Sequence, residues 1–362
     1  MLRTRRILIA GVLGCGFDAG GDGDSGSSGS SSSETSGPMT VGPTTTVGPT
    51  TTATSATMTT GPDTDTTTTD STTAGTADTS TETTEDLDSS GSESTGAQVW
   101  GPFDDIVPIE EINDMFAADD DPTLTGDMLE IYFNTNRLGQ EDIFVATRES
   151  LDDPFDPPIV VAELTTPFID TVPELSHDGL VMMLSNNTPG GAGGFDSFIS
   201  TREDTDSLWS LPERIDELNT MDGDGSLSMT DDMLTAVMCR NFPGQMDYQL
   251  MVTTRRATDD EWGEPVIIED LLSEGRDCSP WLTADGDELW FGSSRPELAE
   301  DENVYRVAMN GVEPDGDVEE IIELSTDSTD DDPWLSPDGS VIVFSTNRDG
   351  QFEIYTARRE LE

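Results

Sequence analysis

From Ala97 onward, apolar and polar residues alternate in short runs separated by Gly, Asp and Pro, the period of half-buried β-strands. The runs recur. The stretch Asp330–Gly350, "DDDPWLSPDGSVIVFSTNRDG", has siblings anchored on Pro122, Pro173, Ser226 and Pro280, 51 to 54 residues apart. Five places after each anchor stands an aspartate: Asp127, Asp178, Asp231, Asp285 and Asp338. Gly179, Gly286 and Gly339 follow three of them, which makes an Asp-Gly hairpin turn. Eleven places after each anchor is an apolar residue: Phe133, Leu184, Val237, Phe291 and Phe344. Fifteen places after it stands Arg137, Arg295 or Arg348, expected to pair with acids at a rim. A third short run follows, as in "DIFVATR", "SFISTR" and "EIYTAR".

A fourth element separates these cores, and Trp100, Trp209 and Trp262 open three copies of it. Four strands per unit is the size of one propeller blade. The copies are permuted by one: the folded part begins on a fourth-strand element and stops after a third strand. The pattern therefore predicts an all-β, five-bladed propeller of four-stranded blades, with the N-terminal strand completing the last blade and leaving no free sheet edges.

The core motif "P-W-L-S-P-D-G … F-S-T-N-R-D-G … E-I-Y" resembles the WD40-like repeat of TolB-type propellers. The resemblance covers about Gln98 to Glu362 within a propeller domain at 97–362, is clearest in the fourth and fifth copies, and implies a fold rather than an activity. TolB-type propellers usually have six blades, so a six-bladed ring is the alternative. The count of five argues against carrying over TolB's partners.

The first 96 residues read differently. Arg3, Arg5 and Arg6 precede a short apolar run, Ile7–Leu13, and Val12-Leu13-Gly14-Cys15 resembles the lipobox of bacterial lipoproteins. That resemblance implies a signal peptide at residues 1–14 and lipidation of Cys15. Several acyl chains would anchor the protein to a membrane, the outer membrane in preference to the inner. Residues 15–96 are rich in Thr, Ser, Gly and Asp and lack the apolar content to offset chain entropy, so a disordered tether with an average reach of about 50 Å is expected.

Charge narrows the partners. The chain has 75 acidic residues against 16 basic ones, a formal charge of −59. All the basic residues are arginine. Such a surface repels phosphate backbones, which excludes nucleic acid as a partner and suits a salty habitat.

Candidate chemistry is sparse. Asp119, Asp170, Asp224, Asp277 and Asp330, with their neighbours in Asp119–Asp121 and Asp330–Asp332, start the inner strands and would ring one mouth of the channel. The preferred reading is that Asp precedes a strand because it caps the turn before it. The next is a bound hard cation such as Ca²⁺, and the last is the carboxyl pair of a glycosidase. "DGDGS" at Asp222–Ser226 lacks the glycine an EF-hand requires and reads as a turn. Trp281 and Trp334 read as packing residues. His177 is the only histidine, and Ser176-His177-Asp178, being contiguous, cannot assemble a triad. No cofactor is implied. Cys239 and Cys278 fall at one rim on neighbouring blades, where they form a disulfide or remain two buried thiols. The expected function is therefore that of a non-catalytic, cell-envelope lipoprotein. Its monomeric propeller would bind a protein or glycan in the periplasm or at the cell surface. A glycoside hydrolase using channel carboxylates is the alternative.

Overall fold

A computed structural model describes residues 99–242, 248–295 and 301–362. The expected signal peptide, the expected lipidation site Cys15 and the expected tether lie outside the described residues. The chain forms five antiparallel sheets arranged as a propeller, five blades rather than six. The strands are named a to d from the channel outward.

Blade 1 consists of Asp119–Leu124, Glu130–Thr135, Asp142–Thr147 and Ile159–Val160. Blade 2 follows with Asp170–Leu175, Val181–Asn186, Asp196–Thr201 and Glu213–Arg214. Gly223–Met229, Thr235–Asn241, Tyr248–Thr254 and Val266–Ile267 form blade 3. Blade 4 is Asp277–Leu282, Glu288–Ser293, Asn303–Asn310 and Glu319–Glu320, with Glu313–Pro314 folding back on strand c. Blade 5 takes Asp330–Leu335, Val341–Thr346 and Glu353–Arg358 from the C-terminus and its strand d, Asp104–Pro108, from the N-terminus. Strand a of each blade packs against that of the next, and blade 5 against blade 1, so the ring closes.

The core lies between blades. Phe133, Trp290, Phe291 and Phe344 are fully buried there. Trp281 and Trp334 are buried too, and Trp281 stands opposite Trp290 across strands a and b.

Every strand a carries a β-bulge against strand b. The bulged residue has a left-handed backbone: Asp121, Val172, Ser226, Ser279 and Asp332, with φ between 46° and 53°. Proline follows in four blades and Leu227 in the third. The bulge bends the strand and turns its first half toward the channel. It also corrects the sequence register in blade 3. The anchor there is Leu227, not Ser226, so the turn aspartate is Asp232 rather than Asp231, and Met238 rather than Val237 takes the apolar position. "DGDGS" is not a turn, because Gly223–Met229 is the inner strand.

Alternating strand direction gives the propeller two distinct faces. The d–a and b–c loops share one, called here the loop face. The a–b turns and c–d loops share the other, the turn face. The described chain begins and ends on the turn face, where Glu362 donates its N–H to Val99 and Trp100 sits beside the blade 5 turn glycine, Gly339.

Candidate functional site: the channel mouth and the loop face

Each expected rim aspartate is buried at the start of its strand a. Its carboxylate accepts a backbone N–H from the preceding loop: Asp114 to Asp119, Thr166 to Asp170 and Thr220 to Asp224, each 2.6 Å, and Thr326 to Asp330, 2.7 Å. In blade 4 the Ser273 hydroxyl takes that role toward Asp277, at 2.7 Å. Arg137, Arg295 and Arg348 donate to Asp119, Asp277 and Asp330 at 2.6–2.7 Å. In blade 3 Arg240, on strand b, reaches Asp224 instead. The same guanidiniums donate to the carbonyls of Ile112, Leu218, Leu271 and Leu324, the last buried residues of the preceding d segments. The aspartate thus clasps two loops to its strand. Blade 2 has Thr188 where the arginine would stand. Burial pushes Asp170 up to about 6; hydrogen bonds from Thr166 hold it down in part, and the charge of Asp142 adds to the rise.

Each of the five carboxylates is therefore engaged by its own loops, and among the described residues they form no group with metal-ligand spacing. A cluster with ligand spacing forms one and two residues further in. Carboxylate oxygens of Asp120, Asp121 and Asp332, all buried, lie within 4.8 Å of one another. They come from blades 1 and 5 alone, because Val172, Ser226 and Ser279 hold the bulge position in the others. Burial, then the neighbouring charge of Asp121, drives Asp120 well above the ordinary carboxylate range. Asp332 rises well above it through burial, then Asp331 and Asp120. Glu174 in the channel wall rises chiefly by burial. Glu302 does the same, although Arg276 bridges it to Asp331. Gly292 makes room for that bridge, since a Cβ there would lie 1.6 Å from Asp331 Oδ1.

Asp120, Asp121 and Asp332 could hold a hard cation, half or less of the oxygen set Ca²⁺ prefers. The channel between the bulges has a cavity volume of about 30 Å³. That admits an ion or about two waters and is far below the several hundred Å³ of an organic-ligand pocket.

The turn mouth is packed. His177 meets Trp281 edge to face at 5.6 Å, and burial pushes its imidazole below the ordinary histidine range. Ser176 and Asp178 bond to each other at 2.6 Å within the turn. Cys239 and Cys278 are joined as a disulfide between blades 3 and 4, with a Cα–Cα distance of 5.1 Å.

The loop face is open and apolar in places. Met115 (74% exposed), Phe116 (86%), Leu138 (64%) and Met221 (86%) stand out from it, with Phe168 half-exposed. Hydrogen bonds tie their loops together. Ala118 donates to the Asn136 side chain, and Gln140 donates to the Phe168 carbonyl at 2.6 Å. This arc over blades 1 to 3 carries no repeat signal, because loop residues vary from copy to copy.

Sequence reasoning also missed a second clasp on the turn face. Arg148, Arg202, Arg255 and Arg359 close strand c, donate to the carbonyl of the a–b turn, and stack on Phe155, Trp209, Trp262 and Trp100 at 4.2–4.7 Å. Its signal was the arginine that recurs at the end of strand c, preceded by Thr in blades 1, 2 and 3.

No family model matches the chain, and no curated protein matches it in sequence. Solved structures do resemble it. One is a TolB homologue from Agrobacterium tumefaciens, with 16% identity over 71% of this chain and 86% of that one, at a TM-score of 0.43. TolB from Acinetobacter baumannii shows 15% identity and a TM-score of 0.40 over 67% of this chain, which spans only 56% of that longer protein. An α-L-arabinofuranosidase from Podospora anserina in complex with cellotriose shows 10% identity over 73% and 97% of the chains, with a TM-score of 0.48. At these values the likeness is one of fold. None of them carries an argument about what this chain does.

Proposed function

We propose that this protein is a lipid-anchored, non-catalytic binding module of the cell envelope, and that its partner is a protein docking on the loop face. The observation that carries this is the exposed apolar arc of Met115, Phe116, Leu138, Phe168 and Met221 on loops braced by hydrogen bonds. Solvent-exposed aromatic and methionine side chains on a rigid frame are what interface centres are made of. Two further features support the reading. The chain enters the propeller on the turn face, leaving the loop face unencumbered by the attachment point. The channel carboxylates are buried in a space too small for a sugar ring, which weighs against the glycosidase.

The anchor is tested through Cys15. Cys15→Ser should shift the protein from the membrane to the soluble fraction and abolish labelling by a radioactive fatty acid. Docking is tested by cross-linking in intact cells. A partner joined to the parent protein and lost in the Phe116→Asp/Met221→Asp double variant supports the reading. Identical cross-links in both would refute it, as would hydrolysis of aryl arabinosides by the purified protein.

A further inference from the structure

Repetition assigns most charges of this chain to construction, so charges that share one groove without an ion-pair partner are where a site would show. On the turn face the arginine closing strand c reaches toward the preceding blade. Arg202 of blade 2 meets Glu130, the first residue of strand b in blade 1, at 2.7 Å. Arg359 of blade 5 lies in the field of Glu288, the equivalent residue of blade 4. At the seam of blades 5 and 1 the equivalent residue is Val341, and Arg358 stands across from it on strand c. Arg148 therefore faces a guanidinium and no carboxylate across its seam, whereas Arg202 is paired with Glu130 and Arg359 lies in the fields of both Arg306 and Glu288. Burial, and then the charge of Arg358, holds Arg148 below its ordinary range. Among the described residues neither arginine has a carboxylate within 4.0 Å. Arg148 is fixed by its bond to the Met128 carbonyl and its stacking on Phe155 at 4.4 Å. Arg358 is exposed.

Both line a groove of about 820 Å³ along this seam, a volume ordinary for organic ligands. Ile109, Met128, Leu151 and Pro154 give it apolar walls. Glu111, Asp152, Asp153 and Asp338 border it as well. Asp153 accepts the Ser150 hydroxyl and Asp338 is engaged by its own turn. Two guanidiniums in one groove, neither ion-paired within 4.0 Å among the described residues, can form a fork for one oxyanion. The bordering acids repel a second negative charge.

We infer that the groove between blades 5 and 1 binds a monoanionic ligand, one carboxylate held by Arg148 and Arg358 on an apolar body that lies against Ile109, Met128 and Leu151. This site is independent of the loop face and of the proposed docking there.

Hexanoate is a suitable probe, titrated into the full chain at low ionic strength and followed by calorimetry. Saturable binding is expected, weakened about tenfold or more by Arg358→Gln, the loss of one charge-assisted contact. Val341→Glu, which installs the carboxylate that Glu130 and Glu288 supply at this position in blades 1 and 4, should weaken it similarly while preserving the fold. Arg214→Gln, on blade 2, should bind like the parent. The inference is overturned if hexanoate does not saturate the protein, or if Arg358→Gln and Val341→Glu both bind like the parent. Inorganic phosphate binding as tightly as hexanoate would overturn the role given to the apolar walls.

Discussion

Asp170 is the clasp carboxylate without a guanidinium, which makes it the natural probe of what the guanidinium does. Its folded value, about 6, lies above the ordinary 3.8. Stability from the bound proton is therefore complete below about pH 4 and is lost as pH rises through about 6. Asp170→Asn keeps the site neutral, so its stability should fall less than the parent's between these limits in urea titrations at stepped pH. In the other blades the arginine carries the burden. Arg348→Met leaves Asp330 buried with only its Thr326 contacts and should cost about 3–5 kcal/mol, read from the denaturation midpoint. The recurrence of these residues was legible in the sequence, and recurrence itself argued for a structural role. Which acids meet in the channel was not. That depends on the bulge, whose left-handed residue has no single amino-acid signature: Asp, Val and Ser all occupy it.

At the scale of elements, the four-strand unit could be read from pattern alone because its a–b turn is built the same way each time. The turn aspartate accepts an N–H two residues on in every blade, and in all but the fourth it also accepts a Ser or Thr hydroxyl. The third copy was misread by one residue because its bulge is followed by Leu227, without the proline that marks the others. The Cys239–Cys278 pair joins two such elements from adjoining blades across a sequence separation of 39 residues. Closing a loop of that length should contribute about 3–4 kcal/mol, lost on Cys239→Ala/Cys278→Ala and measurable by calorimetry with and without reductant.

For the whole molecule, closure depends on the strand borrowed from the N-terminus. Trp100 and Phe103 stack on Arg359, and Asp104–Pro108 pairs with Glu353–Arg358. A chain starting at Glu110 should lose cooperative unfolding and self-associate through the bared edge of strand c, which size-exclusion chromatography and scanning calorimetry would report against residues 97–362. The propeller and its closure were legible because they are written in the number and phase of the repeats. The arc on the loop face and the seam groove were not, since both arise where loops or single residues depart from the repeat.

That borrowed strand also sets how the propeller would bear tension. The described chain enters on the turn face at Val99 and runs along strand d toward the loop face, antiparallel to strand c of blade 5, its one partner strand among the described residues. A pull on the N-terminus opposed by a grip on the loop face is directed along the strand, so its ladder hydrogen bonds are loaded together rather than one after another. A blade closed in this direction is a shear joint, and a partner held on the loop face would pull against its strongest orientation.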